Sequence, residues 1–306
     1  MPDRKINRMA EIGVGTMGSN VAWACAANGL EVYLYDREKE ITDRAVARLK
    51  NWFSDGSLPK QQGQAAIARI HPCCDLEEAL GNVDLAFESV YEDIEVKKKV
   101  HADIGRIAPP KVWIGSNTSS FLCTPLAKAS GRPDRFFCMN WSDPRHNEKL
   151  VMLMWNAETS AETKRAAVEW ARTVKMVPII TRKDIMGYCF NRIWRAVKKE
   201  SLYVADIGAS NPEDIDRAWM LLFGTNQGPF GLMDQIGLDT VKAIEMRYYE
   251  ASGDEKDKPP AILDNLISAG KLGVKTGKGF YTYPNPVYQQ PGWLHKEPPW
   301  SGEEVL

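Results

Sequence analysis

The pattern of hydrophobic and polar positions divides the chain into two parts. Over about the first 185 residues, short apolar runs alternate with segments of helical spacing, which is typical of βαβ units and a parallel sheet. The runs that we predict as strands are "RMAEIGVG", "EVYLYD", "VDLAFESV", "KVWIGSN", "RFFCMNW" and "MVPIITR". They indicate a sheet of roughly six or more strands.

After about residue 186 the apolar positions show helical spacing alone, as in "CFNRIWRAVKKESLYVADIGA" and "NPEDIDRAWMLLF". We therefore expect an α/β domain over residues 1–185 and an all-α C-terminal domain over residues 186–283. Residues 284–306 are rich in Pro and Trp and have no periodicity. For them we expect an extended tail that lies over a surface.

Composition excludes several classes of protein. The chain has 39 Lys and Arg against 40 Asp and Glu, a net charge of −1, and this balance argues against a nucleic-acid partner. No apolar run reaches the length of a membrane span and the N-terminus has no signal-peptide core, so we expect no membrane association and a cytoplasmic location. The six cysteines and four histidines show no metal-ligand spacing, so we predict no metal.

A glycine motif, "GVGTMG", follows the first predicted strand and opens a predicted helix. Its spacing is the GxGxxG of dinucleotide-binding turns, in which Gly13 permits the tight turn, Gly15 lets backbone approach a pyrophosphate, and Gly18 packs helix against strand. Thr16 and Met17 start the helix, whose unpaired amides would face the phosphates. This context predicts a doubly wound Rossmann sheet for the first domain.

The second predicted strand ends in Asp36, 18 positions after Gly18. An acidic side chain at this point accepts hydrogen bonds from the adenosine ribose and disfavours the extra phosphate of NADP. The adjacent Arg37 does not override that preference, so we predict NAD as the cofactor. FAD shares the glycine motif, but nothing later in the chain indicates a site for an isoalloxazine ring.

Several segments together resemble the 3-hydroxyacyl-CoA dehydrogenase family. "SNTSSF" matches its NTSS motif, "GYCFNRI" matches its GF..NR helix start, and "GPFGLMDQIGLD" and "GKLGVKTGKGFYTY" match its helical domain. The resemblance covers about residues 7–283, in order and with the right spacing. It implies a Rossmann domain with a helical domain, NAD-dependent dehydrogenation, and a homodimer formed through the helical domain. Apolar residues in "GPFGLMDQIGLD" and "AILDNLISAGKLG" also favour a homodimer.

The resemblance also implies roles for single residues. The substrate-bonding serine of the NTSS motif falls on Ser119, and the asparagine of the NR motif falls on Asn191. The acidic and basic positions beside the nicotinamide ribose fall on Glu92 and Lys97 in "ESVYEDIEVKKKV". Asn117, which opens the NTSS motif, completes the expected cofactor contacts.

The resemblance breaks at the catalytic histidine of the family. That histidine begins an HFFNP motif whose counterpart here is "NWSDP", so its position is taken by Asn140. The glutamate that pairs with the histidine, twelve residues further on, falls on Met152, and the asparagine of the motif has become Asp143. In the family mechanism the histidine accepts the hydroxyl proton while hydride leaves the same carbon. Asparagine can hydrogen-bond an oxygen but cannot accept its proton.

Other residues are weaker candidates for the missing base. Asp143 is the first choice, because its carboxylate would lie near the nicotinamide cleft, although an acidic residue in a turn before Pro144 is equally expected. His146 fits better as a loop histidine. Tyr188 and Lys149 are possible proton donors, but both are more often structural.

Three hypotheses follow. The first is an NAD-dependent dehydrogenase for a small hydroxy-acid-like substrate, or for an amine or imine whose hydride step removes no O–H proton, with Asn140, Ser119, Asn191 and Asp143 as its catalytic residues. The second is the usual acyl-CoA reaction with water or Asp143 as base, favoured by "RLKNWFSDGSLPKQQGQAAIARI", which occupies the helical pair that faces the acyl carrier in the family. The third is a non-catalytic NAD-binding dimer, against which the retained Ser119 and Asn191 count.

Overall fold

The computed structural model describes residues 4–56, 59–144 and 149–296. The chain divides into two compact units between Phe190 and Asn191. The first unit contains the predicted α/β domain and the second contains the helical segments.

The first unit is built on a single sheet of eight strands within the described residues. These strands are β1 (Arg8–Ile12), β2 (Glu31–Tyr35), β3 (Ile70–Cys73), β4 (Leu85–Glu88), β5 (Trp113–Ser116), β6 (Phe136–Trp141), β7 (Leu150–Met154) and β8 (Val177–Thr181). Their order is β3-β2-β1-β4-β5-β6-β7-β8. The doubly wound sheet predicted from the sequence is confirmed, with β3 and β7 as strands that the apolar pattern did not predict.

The sheet is parallel from β3 through to β6, whereas β7 runs antiparallel to β6 and β8 runs parallel to β7. The direction of β7 follows from the length of the connection before it. Residues 142–149 are too few for the crossover of about a dozen residues that parallel neighbours need. The predicted parallel sheet is therefore extended by a reversed strand at this edge, and the reversal aligns β7 directly against the β6 segment "FFCMNW".

Helices cover both faces of the sheet. Met9 of β1 and Phe87 of β4 belong to one apolar cluster with Trp170, whereas Ala10 belongs to a second cluster with Ile104, because successive side chains of a strand point to opposite faces. The helices of this unit are α1 (Thr16–Ala27), α2 (Lys39–Ser54), α3 (Lys60–Ala68), α4 (Leu76–Leu80), α5 (Ile94–Ile107), α6 (Cys123–Ala129) and α7 (Ala161–Thr173).

The second unit contains α-helices, short 3₁₀ turns and two isolated β-bridges in its described residues. Its helices are α8 (Tyr188–Asp206), which starts at the end of the first unit, α9 (Pro212–Phe223), α10 (Pro229–Ile236), α11 (Leu238–Ser252) and α12 (Ala261–Ser268). Two buried aspartates hold the unit together. Asp216 accepts hydrogen bonds from the backbone amides of Phe230 (2.8 Å) and Gly231 (2.9 Å) at the start of α10, and Asp234 accepts one from the amide of Tyr281 (2.8 Å). The acidic residue of "EDIDRAW" thus binds the start of α10, and the acidic residue of "GLMDQ" binds the "GFYTY" segment.

The start of the predicted tail packs into the second unit. Residues 284–296 form two short 3₁₀ turns, and the side chains of Tyr288 and Trp293 are buried in the apolar cluster of the helices. Large aromatic side chains gain more from burial than from exposure, so this part of the tail does not lie extended as expected. Residues 297–306 lie outside the described part of the chain.

None of the helices in the described ranges is long and apolar enough to cross a membrane. Within the same ranges, no group of histidine, cysteine and carboxylate side chains could hold a metal ion.

Candidate cofactor and substrate site

The three glycines of the motif meet three different steric demands. Gly13 has a φ of +92°, and a Cβ there would lie 2.8 Å from the Val90 side chain. A Cβ on Gly18 would collide with the carbonyl oxygen of Gly13. Around Gly15, by contrast, a Cβ would meet no atom within 4 Å. The protein therefore packs tightly against the turn at Gly13 and Gly18 and leaves free space at Gly15. A ligand can approach the backbone at Gly15.

The first turn of α1 has no side-chain cap of its own. Its N-cap is Gly15, which offers no side-chain acceptor, and the first turn contains no acidic residue. The amides at the start of a helix need acceptors from outside the helix, and an anion can supply them. Thr16 and Met17 at this turn line the adjoining cavity, so the turn fits a phosphate group.

A single cavity of about 790 Å³ collects most of the residues predicted from the sequence. It lies within the first unit. The predicted residues that line it are Gly13, Gly15, Thr16, Met17, Asp36, Glu92, Asn117, Ser119 and Asn140. Gly18, Lys97 and Asp143 belong to the same unit but are not among the lining residues, and Asn191 is the first residue of the second unit.

Asp36 is held at one end of this cavity by backbone groups. One carboxylate oxygen accepts a hydrogen bond from the amide of Val14 (3.2 Å) and the other from the amide of Arg37 (2.9 Å). Tyr35 and Leu76 form part of the wall beside it. The carboxylate is thus fixed next to the glycine turn, where an adenosine ribose binds in dinucleotide sites of this type.

Glu92 organises a second part of the cavity wall, around the loop that carries Ser119. Its Oε1 accepts hydrogen bonds from the Thr118 hydroxyl (2.7 Å), the Ser119 amide (2.9 Å) and the amide and hydroxyl of Ser120 (3.2 and 2.9 Å). Burial alone would raise the pKa of Glu92, but the charge of Lys97 and these hydrogen bonds hold that pKa below its ordinary value. Glu92 is therefore a fixed anion.

Lys97 lies beneath Glu92 and is completely buried. Its ammonium group lies 3.1 Å from Glu92 Oε2 and donates to Glu88 Oε1 at 2.7 Å. The sequence predicts Lys97 as a direct contact to the cofactor ribose. In the structure its charge is enclosed between two carboxylates, so it acts on the cavity by holding Glu92.

Glu88 is the other partner of Lys97, and its environment was not predicted. Its Oε2 accepts hydrogen bonds from the Ser116 hydroxyl (2.6 Å) and from Nε2 of His101 (3.0 Å), both fully buried. Burial disfavours the charged form, but Lys97 and His101 outweigh it and lower the pKa of Glu88 to about 2. A charged residue inside the apolar run "LAFES" was the signal for this cluster in the sequence.

Asn140 and Met152 are direct partners across the β6–β7 ladder. Residues directly opposite on antiparallel strands have Cβ atoms about 4.5–5.5 Å apart on the same face of the sheet. Asn140 is half-buried and lines the cavity, whereas Met152 is buried in the apolar cluster behind it. The two positions that the sequence comparison pairs as a dyad are therefore neighbours in space.

The weaker candidates for a base occupy different environments. Asp143 is half-buried and follows β6 by two residues, Lys149 is exposed, and His146 lies outside the described residues. Tyr188 is fully buried, and its hydroxyl donates to the backbone oxygen of Thr118 at 3.0 Å. The Tyr188 hydroxyl thus donates its hydrogen bond to a backbone oxygen of the protein and does not line the cavity.

Glu11 is a further buried group that the sequence analysis missed, although it too interrupts an apolar strand, "RMAEI". It has no exposed surface, and neither carboxylate oxygen has a well-formed hydrogen bond among the described residues, although the Ser89 side chain lies close enough to interact with it. Burial raises the pKa of Glu11 well above its ordinary value; Ser89 and Lys97 oppose this rise and Glu88 adds to it. Burial therefore favours the protonated form of Glu11, whose carboxyl group lies beside Gly18 of the glycine turn.

Comparison with known proteins identifies the family. The model of the 3-hydroxyacyl-CoA dehydrogenase NAD-binding domain matches residues 8–185, and that of the C-terminal domain matches residues 187–283. The chain belongs to the 3-hydroxyacyl-CoA dehydrogenase family. NAD is its cofactor, and the open turn at Gly15, the uncapped start of α1 and the fixed carboxylate of Asp36 all fit this dinucleotide.

Proteins named for different substrates are similar to the chain. A probable 3-hydroxybutyryl-CoA dehydrogenase of Deinococcus radiodurans is 34% identical over 277 residues, which cover 89% of this chain and 98% of that protein. The solved (S)-3-hydroxybutyryl-CoA dehydrogenase of Ralstonia eutropha has a TM-score of 0.83 at 32% identity, covering 92% of this chain and 100% of that chain. A 5-formyl-3-hydroxy-2-methylpyridine 4-carboxylate 5-dehydrogenase of Mesorhizobium japonicum is 28% identical over 286 residues, 91% of each protein.

The first prediction concerns the choice of cofactor. Calorimetry with the purified protein should show much tighter binding of NAD(H) than of NADP(H), because the Asp36 carboxylate accepts ribose hydroxyls and repels a phosphate. Asp36→Ala should narrow the difference by roughly tenfold or more, as expected for a charged hydrogen bond. Asp43→Ala, an exposed carboxylate on α2, is the matched control and should leave the preference unchanged. Equal affinities of the wild type for the two cofactors would contradict the assignment.

The second prediction concerns stability and pH. Because the pKa of Glu11 is raised on folding, its proton stabilises the native state fully below the ordinary value of 4.5 and progressively less as pH rises through the folded-state pKa. Glu11→Gln should remove this decline, by up to about 1.4 kcal/mol per pH unit in the free energy of unfolding. Urea unfolding over a pH series measures it, with the exposed Glu40→Gln as control. Parallel curves for wild type and Glu11→Gln would show that Glu11 does not titrate as described.

Proposed function

We propose that this chain is an NAD-dependent oxidoreductase whose catalytic centre lacks the His–Glu dyad, and that its substrate is a small hydroxy-acid-like compound or an amine or imine. One observation carries the proposal. Asn140 lines the cavity and is paired across the ladder with Met152, so the two positions assigned to the dyad by sequence form one neutral pair. Bound NAD supplies the hydride acceptor.

The neutral pair limits what the protein itself can do. The amide of Asn140 can donate or accept a hydrogen bond with the oxygen or nitrogen atom attached to the reacting carbon. It does not titrate, so it cannot act as a base. Met152 offers an apolar neighbour in place of a carboxylate, which suits a partner that never becomes positively charged. Asn140 therefore orients the substrate, and any proton released in the reaction must be accepted by another group or by water.

The described residues of the cavity wall contain no histidine. The carboxylate nearest to Ser119, that of Glu92, stays ionised and accepts hydrogen bonds from the loop on one oxygen while the other faces Lys97. This favours a substrate that needs no base. A neutral amine can lose hydride from carbon and become an iminium ion, which is the protonated imine, so no O–H proton has to be removed.

Ser119 and Asn191 are the proposed substrate contacts. The Ser119 hydroxyl is presented at the cavity by a loop whose amides are already bound to Glu92. Asn191 is an amide side chain within α8, a residue type suited to hydrogen-bonding a carbonyl or hydroxyl. Asp143 stays in the proposal as the residue to test for a base.

The second candidate is the acyl-CoA reaction with a substituted base. It is supported by the relatives named as 3-hydroxybutyryl-CoA dehydrogenases and by the α2 and α3 helices, which the chain retains. The relative named for a pyridine carboxylate supports the smaller substrate. Reduction of NAD by the purified protein, measured across hydroxy acids, acyl-CoAs and amines, decides between them. Absence of activity on every class would favour a non-catalytic NAD-binding protein.

The third prediction tests Asn140. Asn140→Ala should lower kcat/KM on the best substrate of that panel by about 30- to 150-fold, or about 2–3 kcal/mol, because one oriented contact to the reacting centre is lost. The double variant Asn140→His with Met152→Glu should also lower native activity, since it places an imidazole and a buried carboxylate in a neutral pocket. It is expected to gain slight activity on 3-hydroxyacyl compounds.

The controls for this prediction separate the remaining bases. Asp143→Asn should leave the pH–rate profile unchanged if the substrate needs no base, whereas loss of a pH-dependent limb would identify Asp143 as the base. A double variant that outperformed the wild type on every substrate would refute the altered chemistry and support the non-catalytic NAD-binding protein instead.

The fourth prediction is a homodimer formed through the helical unit. The apolar segments noted in the sequence do not supply the dimer surface, because their residues Phe230, Met233 and Leu263 are buried in the unit's own core. Exposed apolar side chains occur instead at the end of α9, at Leu222 and Phe223. Light scattering at micromolar concentration should report a dimer, and Leu222→Glu should shift it toward monomer. A wild-type monomer would remove the claim.

A further inference from the structure

One short segment, Asp184–Tyr188, contacts both ends of the loop that carries Ser119. At the start of the loop, the Tyr188 hydroxyl donates a hydrogen bond to the backbone oxygen of Thr118 (3.0 Å). At its end, the Asp184 carboxylate accepts hydrogen bonds from the amides of Cys123 and Thr124, both at 2.7 Å. The loop is thus held at both ends by a segment outside the glycine turn and outside the β6–β7 ladder.

The backbone at Tyr188 is in an unusual conformation. Its φ is +55°, directly after Gly187 with a φ of +81°. Bulky residues rarely adopt positive φ, and such positions persist only where the surrounding structure enforces them. Here the ring of Tyr188 is fully buried in the apolar cluster that also contains Cys123 and Met152.

Tyr188 places a hydroxyl group inside this apolar cluster. A buried hydroxyl needs an acceptor, and the backbone oxygen of Thr118 provides one. Burial raises the pKa of Tyr188 well above its ordinary value, so the hydroxyl keeps its proton and remains a donor.

We infer that Tyr188 is a positioning residue for Ser119, which it holds through the carbonyl group of Thr118. Glu92 fixes the same loop from the other side through the amides of Ser119 and Ser120. Together the two contacts hold the carbonyl and the amide of the Thr118–Ser119 peptide group, from which the Ser119 side chain extends. Only the consequence for turnover rests on the proposed function: where Asn140 takes no proton, the placement of the substrate depends more strongly on Ser119.

The test that needs no substrate is hydrogen–deuterium exchange of the full-length protein with NAD bound. Tyr188→Phe removes one hydroxyl and keeps the buried ring. It should speed exchange at the amides of Ser119 and Ser120 about fivefold, the size expected for the loss of one neutral hydrogen bond, with no change in NAD affinity. Tyr203→Phe makes the same chemical change at an exposed site on α8 and should leave exchange in the loop unchanged.

Asp184→Asn provides a second, independent variant. It should speed exchange at Cys123 and Thr124 while leaving Ser119 and Ser120 protected, because it weakens the other end of the loop. Unchanged exchange at Ser119 and Ser120 in Tyr188→Phe would overturn the inference. So would a uniform rise across the first unit, which would indicate a general loss of stability.

With a substrate from the panel, Tyr188→Phe should raise the KM for that substrate about threefold to tenfold and leave the KM for NAD unchanged. Local loosening of the loop with an unchanged substrate KM would retain Tyr188 as an anchor of the loop but overturn its role in positioning substrate. If no substrate is found, the exchange experiment still decides whether the anchor exists, so failure of the proposed function and failure of this inference are distinguishable.

Discussion

The cavity depends on a buried cation that lies between one buried carboxylate, that of Glu88, and one half-buried carboxylate at the cavity wall, that of Glu92. Lys97 lies between Glu88 and Glu92, with its ammonium 2.7 Å from the first and 3.1 Å from the second. Such an arrangement is stable only while every charge has its partners, since loss of one partner leaves an uncompensated charge in the interior. Lys97 holds Glu92, Glu92 binds the amides of the serine loop, and the loop presents Ser119 at the cavity. Lys97 thus determines the position of the serine loop although it does not line the cavity.

The same cluster separates binding from proton transfer. Its carboxylates remain ionised because Lys97 and several hydrogen-bond donors surround them, and groups held in one ionisation state make good scaffolds and poor acid–base catalysts. Asn140, which lines the cavity, pairs with the buried Met152 across the β6–β7 ladder, so this pair adds no charge to the cavity. The site combines permanent charges for structure with neutral groups beside the proposed reacting carbon. This combination suits hydride transfer to or from a substrate whose reaction requires no proton transfer to the protein.

The sequence predicted most of what depends on local pattern. The glycine turn, the strand ending in Asp36 and the change from alternating to helical spacing could be read from short stretches, because backbone conformation and strand burial determine them. The antiparallel direction of β7 could not, since it depends on the short connection after Trp141. Contacts between distant residues were also missed. The role of Lys97 depends on Glu88, nine positions away, and on Ser116, which packing brings to the same point. Tyr188 was read as a possible proton donor because only the fold shows its hydroxyl on Thr118.

The central claim, that hydride transfer proceeds here without an imidazole base, is tested most directly by the pH dependence of single-turnover NAD reduction with the best substrate of the panel. We expect a rate that is flat through the range in which histidine titrates, near pH 6.5, or one that follows only the ionisation of the substrate. A rate controlled by a protein group with an apparent pKa of about 6.5 that persists across substrates would contradict the claim, and would mean that a histidine outside the Asn140–Met152 pair serves as the base.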